Sequence, residues 1–139
     1  MKNILKGNIS VKKKAENWKE AIYLAGEILL RKDYIEKKYI EAAIKNVEKL
    51  GNYIVLTDYV AMPHSRPEDG VKKTGMSLLV LKEPVDFLGE KINLIFMLAS
   101  KDNSSHIEII KKLAKLIDDE TVIENLKKCE TEEEILNII

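Results

Sequence analysis

The sequence predicts an α/β fold, a sandwich of helices around a mixed sheet. Two observations predict it. Apolar residues recur at helical spacing near both ends of the chain, and between them lie short runs of β-branched and apolar residues bounded by turn formers. The middle runs are spaced like hairpins, which does not suit a purely parallel winding, so the sheet is expected to be mixed.

The elements follow in order. From Trp18 to Arg31 the apolar positions Trp18, Ala21, Ile22, Ala25, Ile28 and Leu29 share one helical face. A second helix carries Tyr39, Ile40, Ala43, Ile44, Val47 and Leu50, with Gly51 as its stop. Tyr53 to Thr57 then reads as a strand, and Val60 to Met62 as a further extended piece. Met76 to Leu81 and Ile92 to Ala99 are apolar runs suited to buried strands. Lys82 to Glu90, which holds Pro84 and Gly89, is expected to be a connection, with Phe87 and Leu88 as core plugs. Ser105-His106-Ile107-Glu108 has the form of a capping box opening a helix through Ile110, Leu113, Ala114 and Ile117, which puts His106 in its first turn. A short helix over about Thr121 to Lys128 follows, and Thr131 to Glu134 opens a last one through another capping box.

A chain of 139 residues fits one domain, and 45% hydrophobic with 33% charged residues is a globular composition. No apolar run reaches the roughly 20 residues of a membrane helix, and Met1 to Lys14 lacks the pattern of a secretory signal, so no direct membrane insertion and a cytoplasmic location are expected. Lys plus Arg balances Asp plus Glu at 23 each, which argues against a nucleic-acid partner; Lys12-Lys13-Lys14 reads as a solvated edge. The single cysteine, Cys129, excludes an intramolecular disulfide and reads as structural.

Ala61-Met62-Pro63-His64-Ser65-Arg66-Pro67 holds one of only two histidines between two prolines. Pro63 restricts the approach to His64 and Pro67 restricts Arg66, so the imidazole is displayed on a stiffened segment. A largely neutral imidazole can act as base, metal ligand or phosphoryl acceptor. The segment is otherwise read as a plain loop leaving a strand. Two distant histidines with Glu68, Asp69 and Asp102 do not form a recognisable metal motif, and no metal site is expected. The chain has no G-x-S-x-G elbow and no glycine-rich nucleotide loop, so no cofactor is expected, and a phosphoryl group handled here has to arrive on another molecule. A loop histidine, an arginine two residues on and a second histidine at a helix start form a plausible place to receive it.

Read together, Tyr39 to Ala43, Gly51 to Leu56, and Val60-Ala61-Met62-Pro63-His64-Ser65-Arg66-Pro67-Glu68-Asp69-Gly70-Val71-Lys72-Lys73-Thr74-Gly75 resemble the enzyme IIA component of the bacterial sugar phosphotransferase system (PTS). The type is the mannitol and fructose class, nearest its ascorbate-specific branch. Pro84-Val85-Asp86-Phe87 and Ser105-His106 also fall where that family has them, and the resemblance covers residues 1–139 as a single enzyme IIA domain. It implies a three-layer α/β/α sandwich. It also implies a phosphorelay: His64 takes a phosphoryl group from phospho-HPr and passes it to a cysteine of enzyme IIB, which phosphorylates the sugar as enzyme IIC transports it. His106 matches the family's second active-site histidine.

Two departures stand out. Commoner members place glycine where this chain has Tyr59, and carry an Arg-Glu pair near the end of the preceding helix where this chain has Val47-Glu48. Arg66 is therefore a candidate stabiliser of the phosphoryl group, or else a surface arginine paired with Glu68 or Asp69. Ser65 is either a hydrogen-bond donor to the phosphoryl group or a small residue beside a crowded site. The transport role for ascorbate or a related sugar has a regulatory alternative, since enzyme IIA-like domains also serve as phosphorylation-dependent signalling modules. A homodimer is a further expectation, from the number of apolar residues in the helices.

Overall fold

The computed structural model describes residues 1–139. A single helical turn, α1 (Lys2–Leu5), and a short strand, β1 (Ile9–Lys12), open the chain. The two helices expected next form as α2 (Trp18–Arg31) and α3 (Lys37–Leu50). Asn17 starts α2 by accepting from the Glu20 amide, and Gly51 ends α3 at φ 81°, a left-handed conformation that costs glycine nothing. Strands β2 (Val55–Thr57), β3 (Tyr59–Ala61), β4 (Gly75–Phe87) and β5 (Glu90–Ala99) come next, then helices α4 (Ile107–Ile117), α5 (Glu120–Lys128) and α6 (Glu132–Ile138). The Thr131 capping box forms as expected, its hydroxyl accepting from the Glu134 amide.

The sheet runs β1-β4-β5-β3-β2. It is mixed, as the spacing predicts: β1 lies parallel to β4 and β3 parallel to β5, while β4–β5 and β2–β3 are antiparallel. Because β4 and β5 are central, both their faces are buried, which is why they read as unbroken apolar runs. Leu79, Leu81, Ile95 and Met97 pack with Ile22, Leu29, Tyr39 and Ile40 of α2 and α3. Leu78, Val80, Leu94 and Phe96, one residue out of phase, pack with Ile109, Leu113, Leu126 and Ile135 of α4, α5 and α6. Two cores on opposite faces of one sheet make the three-layer sandwich. Two polar residues of the core are satisfied: the Ser77 hydroxyl donates to the Ala25 carbonyl at 2.8 Å and the Asn93 amide to the Leu81 carbonyl at 2.9 Å.

Several expectations are corrected. Lys82 to Glu90 is not a connection; β4 continues through it, and the turn into β5 is only Leu88-Gly89, both at positive φ (51° and 103°). Pro84 is tolerated because the β4–β5 register shifts between Val80 and Val85, where no ladder hydrogen bond needs its missing N–H. Phe87 is buried against Trp18, with ring centroids 6.2 Å apart, but Leu88 is a turn residue facing solvent rather than a core plug. Tyr53 is not strand: Asn52–Ile54 is a 3-10 turn, and the strand begins at Val55.

Tyr59, where commoner members have glycine, sits at φ 70°. The left-handed backbone explains that glycine, since an L side chain there costs roughly 1–2 kcal/mol. The chain offsets part of the cost by placing Lys127 Nζ 3.5 Å from the Tyr59 ring centroid. Tyr59→Gly is expected to leave stability within about 1 kcal/mol of the parent. Tyr59→Val, with a branched Cβ at the same φ, is expected to be roughly 1–2 kcal/mol less stable than Tyr59→Gly. Urea unfolding of the pair measures the difference, and equal midpoints refute the strain.

Candidate active site

His64 stands just beyond β3, held by the extended Met62-Pro63 approach. The Leu98 amide of β5 donates to the Pro63 carbonyl at 3.1 Å, which fastens this segment to the C-terminal end of the central strand. The ring is half-buried, and its Nδ1 lies 2.9 Å from the Met62 carbonyl. A carbonyl oxygen can only accept, so Nδ1 carries the proton and Nε2 keeps the lone pair. The Tyr53 ring meets the imidazole edge-on, with centroids 5.6 Å apart and planes at 71°.

His64 and His106, 42 positions apart in sequence, line one open pocket of about 180 Å³, together with Tyr39, Arg66, Ser100 and Asp102. Pocket and histidines lie at the C-terminal ends of the parallel strands β3 and β5, where ligands gather in α/β sheets. Among groups of three or more His, Cys, Asp and Glu side chains, none is arranged to hold a metal ion.

Ser65 is occupied by the protein itself. Its hydroxyl donates to the Asp69 carboxylate and accepts from Asn46 Nδ2 at 3.0 Å. No proton remains for a phosphoryl oxygen in this arrangement, and Ser65 braces the histidine loop, a role that neither sequence reading of it named. Arg66 lines the pocket yet is largely exposed, with Nε 3.6 Å from Glu68 and 3.9 Å from Asp69. The surface pairing expected for Arg66 is thus present, on a side chain that also lines the pocket.

The capping box expected at Ser105 does not form. His106 itself is the N-cap residue of α4, at φ −83°, with no side-chain cap. The Ser105 and Ser104 amides and both their hydroxyls turn back to the Asp102 carboxylate, which offers two acceptor oxygens where the serine hydroxyl would have offered one. These bonds, led by that from the Ser105 hydroxyl, hold the Asp102 carboxyl well below the usual carboxylate range.

Three contributors escape the sequence reading. The buried Tyr39 hydroxyl donates to the Leu98 carbonyl at 2.6 Å and accepts from the Ser65 amide at 2.9 Å. Burial pushes its pKa far up, so it stays protonated. Asn46 reaches both Ser65 Oγ and the His64 carbonyl, the latter at 3.4 Å. The Val47-Glu48 pair, by contrast, points elsewhere: Val47 is buried and Glu48 pairs with Lys19 at 2.9 Å. Asn46 is seven residues after Tyr39, hence on the same helical face, and that spacing was the available signal. Ser100, just past β5, touches His106.

Asp69 gives a pH prediction. Its bond from the Ser65 hydroxyl, then that from the Arg66 amide, lowers its pKa below the ordinary 3.8 against a raising contribution from burial. A carboxylate with a depressed folded pKa adds stability above its unfolded pKa, and loses it as pH falls through the folded one. Asp69→Asn is therefore expected to lower the thermal midpoint at pH 7, with the gap to the parent closing below pH 3. A gap that is constant from pH 7 to pH 2.5 refutes the linkage.

A mixed-sheet sandwich with two histidines on one pocket fits the class of sugar phosphotransferase components. The chain belongs to the family described as phosphoenolpyruvate-dependent sugar phosphotransferase system, EIIA 2, whose model matches residues 3–139. It is 37% identical over 136 residues to the ascorbate-specific PTS system EIIA component of Escherichia coli K12, covering 95% of this chain and 88% of that one. Among solved structures it resembles the mannitol-specific cryptic phosphotransferase enzyme IIA of Escherichia coli (39% identity, TM-score 0.90, 98% of this chain and 95% of that one). It also resembles the enzyme IIA of Escherichia coli solved in complex with phosphorylated enzyme IIB of the mannitol system (33% identity, TM-score 0.82, 95% and 93%). No helix is long and apolar enough to cross a membrane.

Proposed function

We propose that this protein is the cytoplasmic phosphoryl carrier of a sugar PTS, taking the group from phospho-HPr on His64 Nε2 and giving it to a cysteine of an enzyme IIB. The observation that carries the reading is the His64 Nδ1 contact to the Met62 carbonyl, which leaves Nε2 as the free nucleophile on the pocket. In the first transfer the donor's P–N bond breaks as the P–Nε2 bond forms, and the Met62 carbonyl stabilises the cationic character that develops on the ring. The second transfer breaks P–Nε2 and forms P–S on the acceptor thiolate.

Ascorbate, or a related sugar moved by the partner enzyme IIC, is the substrate favoured by the 37% identity to ascorbate-specific components. A IIA-Ntr nitrogen regulatory protein of Neisseria meningitidis is structurally similar at 28% identity. The higher identity to transport components favours transport over a purely regulatory role.

The test is a reconstituted relay with radiolabelled phosphoenolpyruvate, enzyme I, HPr and a panel of enzyme IIB proteins. Label should pass through this protein to an ascorbate-type enzyme IIB. Label stranded here with every enzyme IIB overturns the transport role, and absence of label overturns the carrier role. In the same assay Arg66→Ala is expected to slow transfer from phospho-HPr about tenfold, the loss of one charged contact to the group in flight; an unchanged rate returns Arg66 to its pairs with Glu68 and Asp69.

A further inference from the structure

Tyr53 packs in neither core of the sandwich. It is 42% exposed, so burial alone does not account for a large aromatic ring at this place. Its position is nevertheless built. On one side Asn52 Nδ2 donates to the Leu88 carbonyl at 3.0 Å, and on the other Ile54 is fully buried. The Ile54 carbonyl accepts from the Met62 amide at 2.8 Å, and the Met62 carbonyl in turn takes the His64 Nδ1 proton. Met62 thus ties the turn that carries Tyr53 to the imidazole that Tyr53 meets.

A single hydrogen bond at Nδ1 fixes one point of the imidazole and leaves its plane free to rock about that point. The Tyr53 ring supplies the second constraint, edge-on with centroids 5.6 Å apart and planes at 71°. Tyr53 is not part of the pocket wall that His64 shares with His106, so it flanks the imidazole outside that pocket. Burial raises the pKa of the phenol, against a lowering from the Asn46 side chain beside it, and the ring stays neutral. It therefore sets bulk without charge against His64.

We propose that Tyr53 is a positioning residue whose ring holds the plane of His64 and shields the phosphohistidine from water, so that it sets the lifetime of the phosphoryl group on this protein. This rests on the carrier reading above. The step held back is hydrolysis. A water oxygen bonds to phosphorus, P–Nε2 breaks and returns its electron pair to the ring, one water proton goes to solvent and inorganic phosphate leaves. A carrier waiting for its acceptor needs that step slow while the same bond stays open to a thiolate. A flat side wall meets both needs, because it covers a flank of the imidazole and leaves the pocket open.

The experiment loads the whole chain, as parent, Tyr53→Ala and Tyr53→Phe, with label from phosphoenolpyruvate, enzyme I and HPr, removes the donors, and follows release of inorganic phosphate at pH 7. Tyr53→Ala should lose its label about fivefold faster than the parent, the size of effect that one aromatic pair supports. Tyr53→Phe keeps the ring and should keep the parent's lifetime. In the unphosphorylated proteins the His64 Nδ1 proton, read by NMR, should exchange with water about fivefold faster in Tyr53→Ala, since the same contact holds the ring plane. Equal lifetimes for Tyr53→Ala and the parent overturn the proposal, and a raised KM for phospho-HPr alongside them makes Tyr53 a docking contact instead. A Tyr53→Phe protein as short-lived as Tyr53→Ala also overturns it, by assigning the effect to the hydroxyl. If the parent takes no label at all, the carrier reading has failed, and the hold on the His64 ring is judged by proton exchange in the free proteins, where equal rates overturn it.

Discussion

Replacing His64 by alanine is expected to abolish acceptance of the phosphoryl group from phospho-HPr, a fall of at least about 10³-fold in rate, or about 4 kcal/mol of lost barrier lowering. His106 is not expected to stand in, because it stands at the start of α4 and lacks the stiffened Met62-Pro63 approach that displays His64. The variant should remain folded. The half-buried ring makes one local hydrogen bond and one edge contact with Tyr53, so its removal is expected to cost only about 1 kcal/mol. Loss of label with an intact unfolding transition therefore reports on chemistry. A His64→Ala protein that still takes up base-stable, acid-labile label sinks the assignment.

The parts of the fold that were legible in the sequence are those where one local rule acts alone. The α2 and α3 stripes carry the helical period cleanly, and the structure starts α2 at Trp18 and stops α3 before Gly51. The buried runs of β4 and β5 were visible because central strands need apolar residues on both faces. The failures lie where tertiary pairing overrides local signals. Pro84 reads as a breaker, yet a register shift absorbs it. The weak α1 and β1 carry no periodic signal, and β1 exists because it pairs in parallel with Leu78 to Leu81.

The candidate site divides the same way. Its display element was legible because the two prolines act through covalent geometry. The Gly70-to-Gly75 continuation has a structural cause that a single sequence conceals. Ile35 bridges to Val71, Lys72 pairs with Asp33 at 2.7 Å, and the Tyr34 ring packs where any Cβ on Gly75 would stand. That segment clamps the histidine loop to the α2–α3 turn. Asn46, Ser100 and the Tyr39 hydroxyl act on neighbours 6 to 59 positions away, except that Ser100 also meets Asp102 two residues on. Long-range pairing of that kind leaves no local pattern to read.

Tyr39→Phe is the most demanding test of that hidden layer, because it deletes one oxygen atom and keeps the packing volume. The hydroxyl bridges the end of β5 and the histidine loop: it donates to the Leu98 carbonyl and accepts from the Ser65 amide, with Ser65 Oγ in turn bound to Asn46 and Asp69. Phenylalanine leaves the Ser65 amide and the Leu98 carbonyl without that partner, so the expected cost is about 2 kcal/mol. For a domain of this size that is a fall of roughly 8 °C in thermal midpoint at roughly 4 °C per kcal/mol. The rate of phosphoryl transfer should fall further than stability alone explains, by about tenfold at a temperature where the variant is fully folded, because His64 is the residue before the loosened amide. If the hydroxyl were only filling space, Tyr39→Phe would match the parent in both midpoint and rate. A lowered midpoint with an unchanged rate would make Tyr39 a part of the core alone, and would assign the placement of His64 to Pro63 and the Met62 carbonyl.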